Sequence, residues 1–328
     1  MKYIESPFVD AYDNMALEEF VFEGLPAEDE YFMLWQNKNA VVVGKYQNTV
    51  EEINQDFVRK NGIQVVRRLS GGGAMYQDMG NLNFTFVVKQ EAAKSLDFEI
   101  FIQPVVHALA QLGVRAEMSS RNDIVIEGKK FSGNSQYNKR GRTMHHGTML
   151  FCSDLNVIQD ALRVKADKIE SKGIKSVRSH VTNIADFLPK ETTLEEFKDV
   201  LLRHMFDANS LQKYELTEHD LKAVKVLRDE KYATWEWNYG RSPAYGLRKE
   251  RRYDFGGIAL SLDVKEGKLC SLDVSGDFFG NGDIGDLANA MKGCQMRAEA
   301  LEEALKNMDV EYYIRGMSAS RLIEMILY

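Results

Sequence analysis

The chain is poor in the features that mark a secreted, metal-bound or membrane-embedded protein. Only three of its 328 residues are cysteine, Cys152, Cys270 and Cys294, odd in number and far apart. They form no CxxC pair, no zinc-ligand spacing and no disulfide framework, and they point to a reducing, cytoplasmic setting. No window approaches the ~20 apolar residues of a membrane-spanning helix. The opening Met1-Lys2-Tyr3-Ile4-Glu5-Ser6 lacks the basic and apolar regions of a secretory signal. Positive charge is not in excess: the net charge is −7 and the pI about 5.6, which argues against a general grip on nucleic acid. Repeats and low-complexity tracts are absent. The remainder, 44% hydrophobic and 28% charged, is ordinary globular composition, long enough for two domains.

The most informative stretch is Arg67-Arg68-Leu69-Ser70-Gly71-Gly72-Gly73-Ala74-Met75-Tyr76-Gln77-Asp78-Met79-Gly80-Asn81. Before it lies Gln64-Val65-Val66, a β-branched strand signal. After it, Leu82 to Val88 alternates apolar and polar with period two. Two arginines and three glycines thus sit at the bend of a strand–loop–strand unit. Without Cβ atoms, successive backbone N–H groups can turn toward one anion at close range. Arginine adds a fixed fork of donors suited to phosphate or carboxylate. No Gly-Lys-Ser/Thr follows, which excludes a Walker A loop. A strand rather than a helix follows, which excludes a Rossmann fingerprint. An adenylate or acyl-phosphate cradle on an antiparallel or mixed sheet fits the pattern, as does a bland surface turn.

The rest of the chain reads as α+β. Helices are expected over Asn14–Phe22 with Asn14 as cap, Asn48–Lys60, Asp97–Leu112, Leu155–Leu162, Leu194–Phe206, Leu216–Arg228, Leu287–Met308 and Ala319–Leu327. Tyr31–Trp35 and Ala40–Val43 read as a strand pair. Ile124–Ile126 and Phe131–Gly133 read as a hairpin turning at Glu127-Gly128. Arg142–Leu150, Tyr253–Val264 and Leu269–Val274 read as further strands. Residues 165–178, rich in Lys and Ser, read as a mobile loop of the kind that closes over a site. Gly and Pro in the segment from Tyr239 to Gly246 place a domain boundary there, giving domains 1–240 and 247–328.

Three further groups carry chemistry. Strand alternation puts Lys130 and Ser132 on one face of the hairpin and Phe131 on the other. A lysine there suits the bridging of two anionic reactants, although a lone lysine near a turn is ordinarily a solvated charge. His145 and His146, adjacent on a strand, point to opposite faces, so one is free to line a pocket while the other packs. Trp35 serves either as core or as the apolar wall of a ligand pocket.

In order and spacing, the runs RRLSGGGAMYQDMGNLNFTF, RNDIVIEGKKFSGNSQ, HHGTML and KGIKSVRSHVTN resemble the lipoate–protein ligase family. The tail, from WNYGRSPAY through RRYDFGGIAL to MKGCQMRAEAL, resembles the accessory domain of the two-domain ligases. The resemblance implies a mixed or antiparallel sheet catalytic domain of the biotin/lipoyl ligase type with a small α+β C-terminal domain. It implies activation of lipoate with MgATP to lipoyl-AMP, then transfer to one lysine of a lipoyl-domain acceptor. That acceptor would be a glycine-cleavage carrier protein or the E2 subunit of a 2-oxoacid dehydrogenase. The catalytic lysine falls on Lys130. Contacts to ATP and lipoyl-AMP fall on Arg68, Ser70, Gly71, Gly72, Gly73, Ala74, Met75 and Tyr76, with Asn81, Asn122 and Asp123, the last a candidate for Mg2+. The lipoate pocket falls on Trp35, Gly72, Gly73, Gln77 and His146. Lys172 to Asn183, including Lys172, Gly173, Val177 and Arg178, becomes the loop that orders over the adenylate. Gln77 departs from the histidine common at its position in relatives.

Three alternatives share much of this pattern. A lipoyl or octanoyl amidotransferase needs an activated thiol, for which Cys152 is the one candidate in the first domain. A biotin–protein ligase is expected to carry a Gly-Arg-Gly-Arg-type loop, which is absent. A non-catalytic lipoyl-domain binding protein would keep the fold without the chemistry. Docking of an acidic acceptor further predicts a basic patch at Lys139, Arg140 and Arg142.

Overall fold

The alternation of Leu82 to Val88 sorts a strand into two faces, and both turn out to be buried. The computed structural model describes residues 1–89, 98–119, 122–162, 181–189, 191–206, 211–240, 247–265 and 268–327. Its strands are β1 (Lys2–Glu5), β2 (Tyr31–Trp35), β3 (Asn39–Val43), β4 (Gln64–Arg67), β5 (Met75–Asp78), β6 (Asn81–Lys89), β7 (Ala116–Met118), β8 (Asp123–Ile126), β9 (Lys129–Lys139), β10 (Arg142–Leu150), β11 (Gln212–Lys213), β12 (Leu247–Tyr253), β13 (Gly256–Lys265) and β14 (Lys268–Gly276). Eight of them form one mixed sheet in the order β11-β1-β2-β6-β10-β9-β8-β7. A three-stranded sheet, β4-β3-β5, stands beside it, and β12-β13-β14 form a third.

One face of the large sheet is apolar. Phe32, Leu34, Phe84, Phe86, Ile124 and Phe131 meet the helices Glu99–Gln111 and Leu194–Met205 there, in one continuous core. The second helix starts at a capping box made by Thr193 and Glu196. The other face carries Met33, Trp35 and Met144 against helix α1 (Ala11–Glu23) and the small sheet. The polar residues of β6 belong to this second face. Asn81, Asn83 and Thr85 are fully buried, so an alternation that ordinarily marks a solvent face here marks a polar interior.

Several expected elements shift for identifiable reasons. Helix α1 starts at Ala11 because the Asp10 carboxylate accepts from the amides of Tyr12 and Asp13; Asn14 is an interior residue, not a cap. β2 and β3 are not partners: β2 pairs with β1 and β6, and β3 with β4 and β5. The helix expected over Asn48–Lys60 is two short ones, Thr49–Glu52 and Gln55–Lys60. The long C-terminal helix is likewise two, Ile284–Met291 and Ala298–Leu305, broken at Gly293, which is left-handed (φ 83°) and donates its amide to the Leu269 carbonyl. Strand β12 was not anticipated. The elements over Arg142–Leu150 and Ala319–Leu327 lie where periodicity places them. The C-terminal sheet and its helices share their own core. Among the described residues no helix is long and apolar enough to cross a membrane.

Candidate active site

Strand register lays out the site. Reading across the large sheet, Trp35 pairs with Asn83, Asn83 with Thr148, and Gly133 with Asp123, while the Gly133 amide donates to Thr148 Oγ1. Directly opposed residues share a face, so this row crosses five strands on one side of the sheet. An open pocket lies over it, with about 570 Å³ of empty space including its mouth, in the range of small-ligand sites. Lys130 and Asn122 stand at one end and Trp35, Met15 and Val42 at the other, with Arg68, Gln77 and Asn83 also in the lining.

Lys130 reaches this face through an irregularity that simple alternation does not anticipate. Ile124 pairs with Ser132 but Val125 pairs with Lys130, so Phe131 is an extra residue in β9. The bulge turns Phe131 and Ser132 to the apolar-core side. There Phe131 is fully buried, and Ser132 accepts from Asn134 Nδ2. Lys130 therefore shares its face with Gly133 rather than with Ser132, as expected from sequence. A side chain at Gly133 would lie 2.9 Å from Lys130 Nζ. The ammonium is paired at 2.7 Å with Asp123. The hairpin turn itself is as expected, with Glu127 and Gly128 both left-handed. Val181 and Thr182 run alongside Lys130, whose carbonyl accepts from the Thr182 amide at 2.9 Å.

The glycine loop is held from outside as much as it is open. The Arg68 guanidinium is buried and donates to the carbonyls of Gly71 (2.6 Å) and Gly73 (2.9 Å) and to Ser70 Oγ. Burial brings its pKa down to about 10, with Glu18 opposing and Arg67 reinforcing the shift. Arg67 is buried too and donates to the carbonyls of Gly44, Lys45, Gln47, Trp237 and Asn238. Both guanidiniums thus spend donors on shaping the backbone, and Arg67, buried and outside the pocket lining, is not the anion grip expected of it. Gly72, left-handed at φ 92°, donates its amide to the carbonyl of Phe278 in the C-terminal part of the chain. Ser135 Oγ donates to the Gly71 carbonyl.

The two histidines divide as predicted. His145 lies in the apolar core, stacked on Phe101 at 4.5 Å, and its burial pushes its pKa well below the usual imidazole range. Gln136 donates to its Nδ1, which leaves Nε2 to donate to Asn134 Oδ1. His146 lines the pocket. Its Nδ1 donates to Glu18 Oε1 at 2.7 Å and its Nε2 faces Ser70 Oγ at 2.5 Å. Glu18 also accepts from Thr85, which accepts from the Trp35 indole. The hydroxyl–imidazole–carboxylate line resembles a nucleophile relay, but Ser70 is buried and off the pocket, so the line ties the glycine loop to α1.

Of the residues singled out from sequence, Trp35, Arg68, Gly72, Gly73, Ala74, Met75, Gln77, Asn122, Lys130 and His146 line one pocket. Asp123 joins it through Lys130, and Gly71 through the loop. The structure puts the Tyr76 ring elsewhere, in a cluster with Val41 and Val43, its hydroxyl donating to Asn39. Asn81 is buried against Asn83. Lys172, Gly173, Val177 and Arg178 lie outside the described residues. Cys152 is exposed and off the pocket, and partial burial together with Asp78 pushes its thiol pKa up, the opposite of activation. Of the proposed basic patch, Arg142 is buried and Lys139 is paired with Glu23. Among the described residues no cluster of three or more His, Cys, Asp or Glu is arranged to hold a metal. Sequence reasoning missed Met15, Glu18 and Asn83. Only Asn83 carried a local signal, as a polar position in an alternating strand.

Comparison with known proteins agrees with this geometry. The family described as "Lipoyl protein ligase A/B catalytic domain" matches residues 10–206, and "Bacterial lipoate protein ligase C-terminus" matches residues 242–326. The chain is 45% identical to the lipoate-protein ligase LplJ of Bacillus subtilis over 316 residues, covering 95% of this chain and 96% of that one. It is 43% identical to lipoate–protein ligase 1 of Staphylococcus aureus, covering 99% and 100%. Among solved structures, P. falciparum LipL1 in complex with lipoate superposes with a TM-score of 0.78 at 20% identity, covering 99% of both chains. A lipoate-protein ligase A bound with ATP gives 0.62 at 26% identity, covering 73% of this chain and 98% of that one. A bi-partite ligase from Thermoplasma acidophilum, studied with its E2 lipoyl domain, gives 0.66 at 28%, covering 75% and 98%. By its sequence along nearly the whole length and by its fold, the chain belongs to the lipoate–protein ligase family and is a ligase.

Proposed function

We propose that the pocket binds lipoate and MgATP together, with the lipoate carboxylate and the nucleotide α-phosphate meeting at Lys130. The carrying observation is that a single pocket runs from the Lys130–Asp123 pair to an apolar end walled by Trp35, Met15 and Val42. The ATP- and lipoate-bound relatives support the same pair of substrates. A carboxylate oxygen attacks the α-phosphorus, the bond to pyrophosphate breaks, and lipoyl-AMP forms. The acceptor lysine, as free amine, then attacks the carbonyl carbon. AMP leaves with the bonding electrons, and the amine loses a proton as the amide forms.

Lys130 offsets the repulsion between two anions and stabilises the charge that develops between them. In the free protein its ammonium rests on Asp123. Mg2+ would arrive with the nucleotide and offset phosphate charge, and Asp123, beside Lys130, is the carboxylate that would hold it. Val181 and Thr182, which adjoin Lys130, help to keep water from the mixed anhydride. Trp35, His146, Gln77 and the glycine loop enclose the acyl chain, each buried CH₂ contributing ~0.8 kcal/mol. The acceptor is a lipoyl domain, of E2 or of a glycine-cleavage carrier, consistent with the Thermoplasma pairing. A C-terminal apolar cluster, which Tyr46 joins from the first part of the chain, supports the division into 1–240 and 247–328, and three free cysteines suit the cytoplasm.

The test is lipoate-dependent exchange of pyrophosphate into ATP by the purified chain without acceptor. Exchange is expected. Its absence in folded protein would overturn the adenylation reading.

A further inference from the structure

The far end of the acyl pocket is closed by a chain of buried amides whose direction is fixed. Asn14 Nδ2 donates to the backbone carbonyl of Gln36 at 2.8 Å. A carbonyl only accepts, so the Asn14 amide has one possible orientation. The same nitrogen donates to Asn37 Oδ1 (2.8 Å), Asn37 Nδ2 to Gln77 Oε1 (2.7 Å), and Gln77 Nε2 to Asn83 Oδ1 (2.8 Å). Asn81 Nδ2 donates to that last oxygen as well. Each link forces the next, and the Asn83 oxygen ends up saturated. Its Nδ2 makes one long contact, 3.4 Å to the already engaged Gln77 Oε1. Asn83 is wholly buried and lines the pocket. Among the described residues its second N–H has no partner, which leaves that N–H for whatever fills that end.

Register locates this donor relative to the chemistry. Gly133, beneath the Lys130 ammonium, lies two strands from Asn83, about 10 Å at ~4.8 Å per strand. A carboxylate at Lys130 thus places the other end of a medium-length acid at Asn83. Sulfur is a weak hydrogen-bond acceptor and a hydrocarbon is none. Building on the ligase reading above, we propose that the Asn83 amide reads the sulfur-bearing ring of the substrate and makes the enzyme favour the dithiolane acid over sulfur-free acids of similar length. Asn14, Asn37 and Gln77 act as positioning residues that hold the donor outward. A sulfur-free chain leaves a buried N–H unpaired, and sites of this kind discriminate against analogues that lack the partner.

The test uses the full chain and acid-dependent ATP–pyrophosphate exchange with lipoate, octanoate and 5-cyclopentylpentanoate, which keeps a five-membered ring but has no sulfur. Wild type is expected to show kcat/KM about tenfold higher for lipoate than for the carbocyclic acid, the scale of one modest polar contact. Asn83→Leu is expected to bring that ratio toward one. Equal kcat/KM for the two ring-bearing acids in wild type overturns the proposal without any variant, as does an unchanged ratio in Asn83→Leu. Exchange with none of the acids instead overturns the ligase reading on which the proposal rests.

Discussion

The amide of Gly72 donates to the carbonyl of Phe278 at 3.1 Å, joining the glycine loop to the C-terminal part of the chain. The approach is close enough that a Cβ on neighbouring Gly71 would lie 2.3 Å from the Phe278 oxygen. Tyr46 stacks on the Phe278 ring at 4.6 Å, and Phe279 reaches the catalytic core against Phe98. Gly71→Ala is expected to push this segment off the loop and to cost about 1–3 kcal/mol, the usual scale of overpacking. Gly73→Ala, whose Cβ would meet nothing within 4 Å, is the control, expected within about 0.5 kcal/mol of wild type. Chemical denaturation of both variants decides this; equal stability would show that the contact yields without cost.

Lys130→Ala is expected to abolish exchange while leaving the fold intact. The Lys130–Asp123 pair is about one-third exposed on each side, and such pairs contribute only about 0–1 kcal/mol. A group that stabilises developing charge contributes about 100-fold or more to rate. Thermal unfolding within a few degrees of wild type, with exchange reduced at least that much, is the expected pair of results. Undiminished exchange would remove Lys130 from the chemistry.

Much of this site was legible because its signals are local. Three glycines at a strand bend, a lysine after a Glu-Gly turn and two histidines on one strand need only short-range rules. What escaped was set by contacts distant in sequence. Nothing around Asn37 distinguishes a hairpin turn from its actual role, a buried link between Asn14 and Gln77 at the crossing from one sheet to another. The extra residue Phe131 cannot be read from alternation, because a bulge is fixed by the partner strand's register. Glu18 reads as one more charge on an exposed helix until β6 and β10 bring Thr85 and His146 to it.

Arg142 illustrates the same limit and carries its own prediction. As part of a Lys-Arg-Gly-Arg turn it reads as a docking charge. In the structure its Nη1 donates to the carbonyls of Phe22 (2.5 Å) and Leu25 at the end of α1, and the guanidinium lies over the rings of Phe22 and Tyr31. Arg142→Met is expected to cost about 1–3 kcal/mol through the carbonyls left unpaired. Lipoyl transfer per folded molecule should stay the same. Exposed Arg140 is the remaining candidate for acceptor docking, and Arg140→Glu tests it through the KM for the acceptor domain. A raised acceptor KM in Arg142→Met at wild-type stability would restore Arg142 to the docking face.

His145 predicts a pH dependence whose sign follows from its burial. Its pKa falls well below the ordinary value of 6.5 because the charged form is desolvated, with His146 adding to the shift. Above about pH 6.5 the ring is neutral in folded and unfolded chains alike, and no proton is exchanged on unfolding. Below it the unfolded chain takes up a proton that the folded chain refuses. Stability therefore falls as pH drops from about 6.5, approaching 1.4 kcal/mol per pH unit from this one group. His145→Phe keeps a ring beside Phe101 but removes the titration. The variant is expected to be less stable at pH 7.5, because Asn134 and Gln136 lose a partner. Its decline between pH 6.5 and 5 should be shallower than that of wild type by close to one proton. Urea denaturation at pH 7.5, 6.5, 5.8 and 5.0 measures both slopes; parallel curves would show that His145 takes up a proton in the folded state.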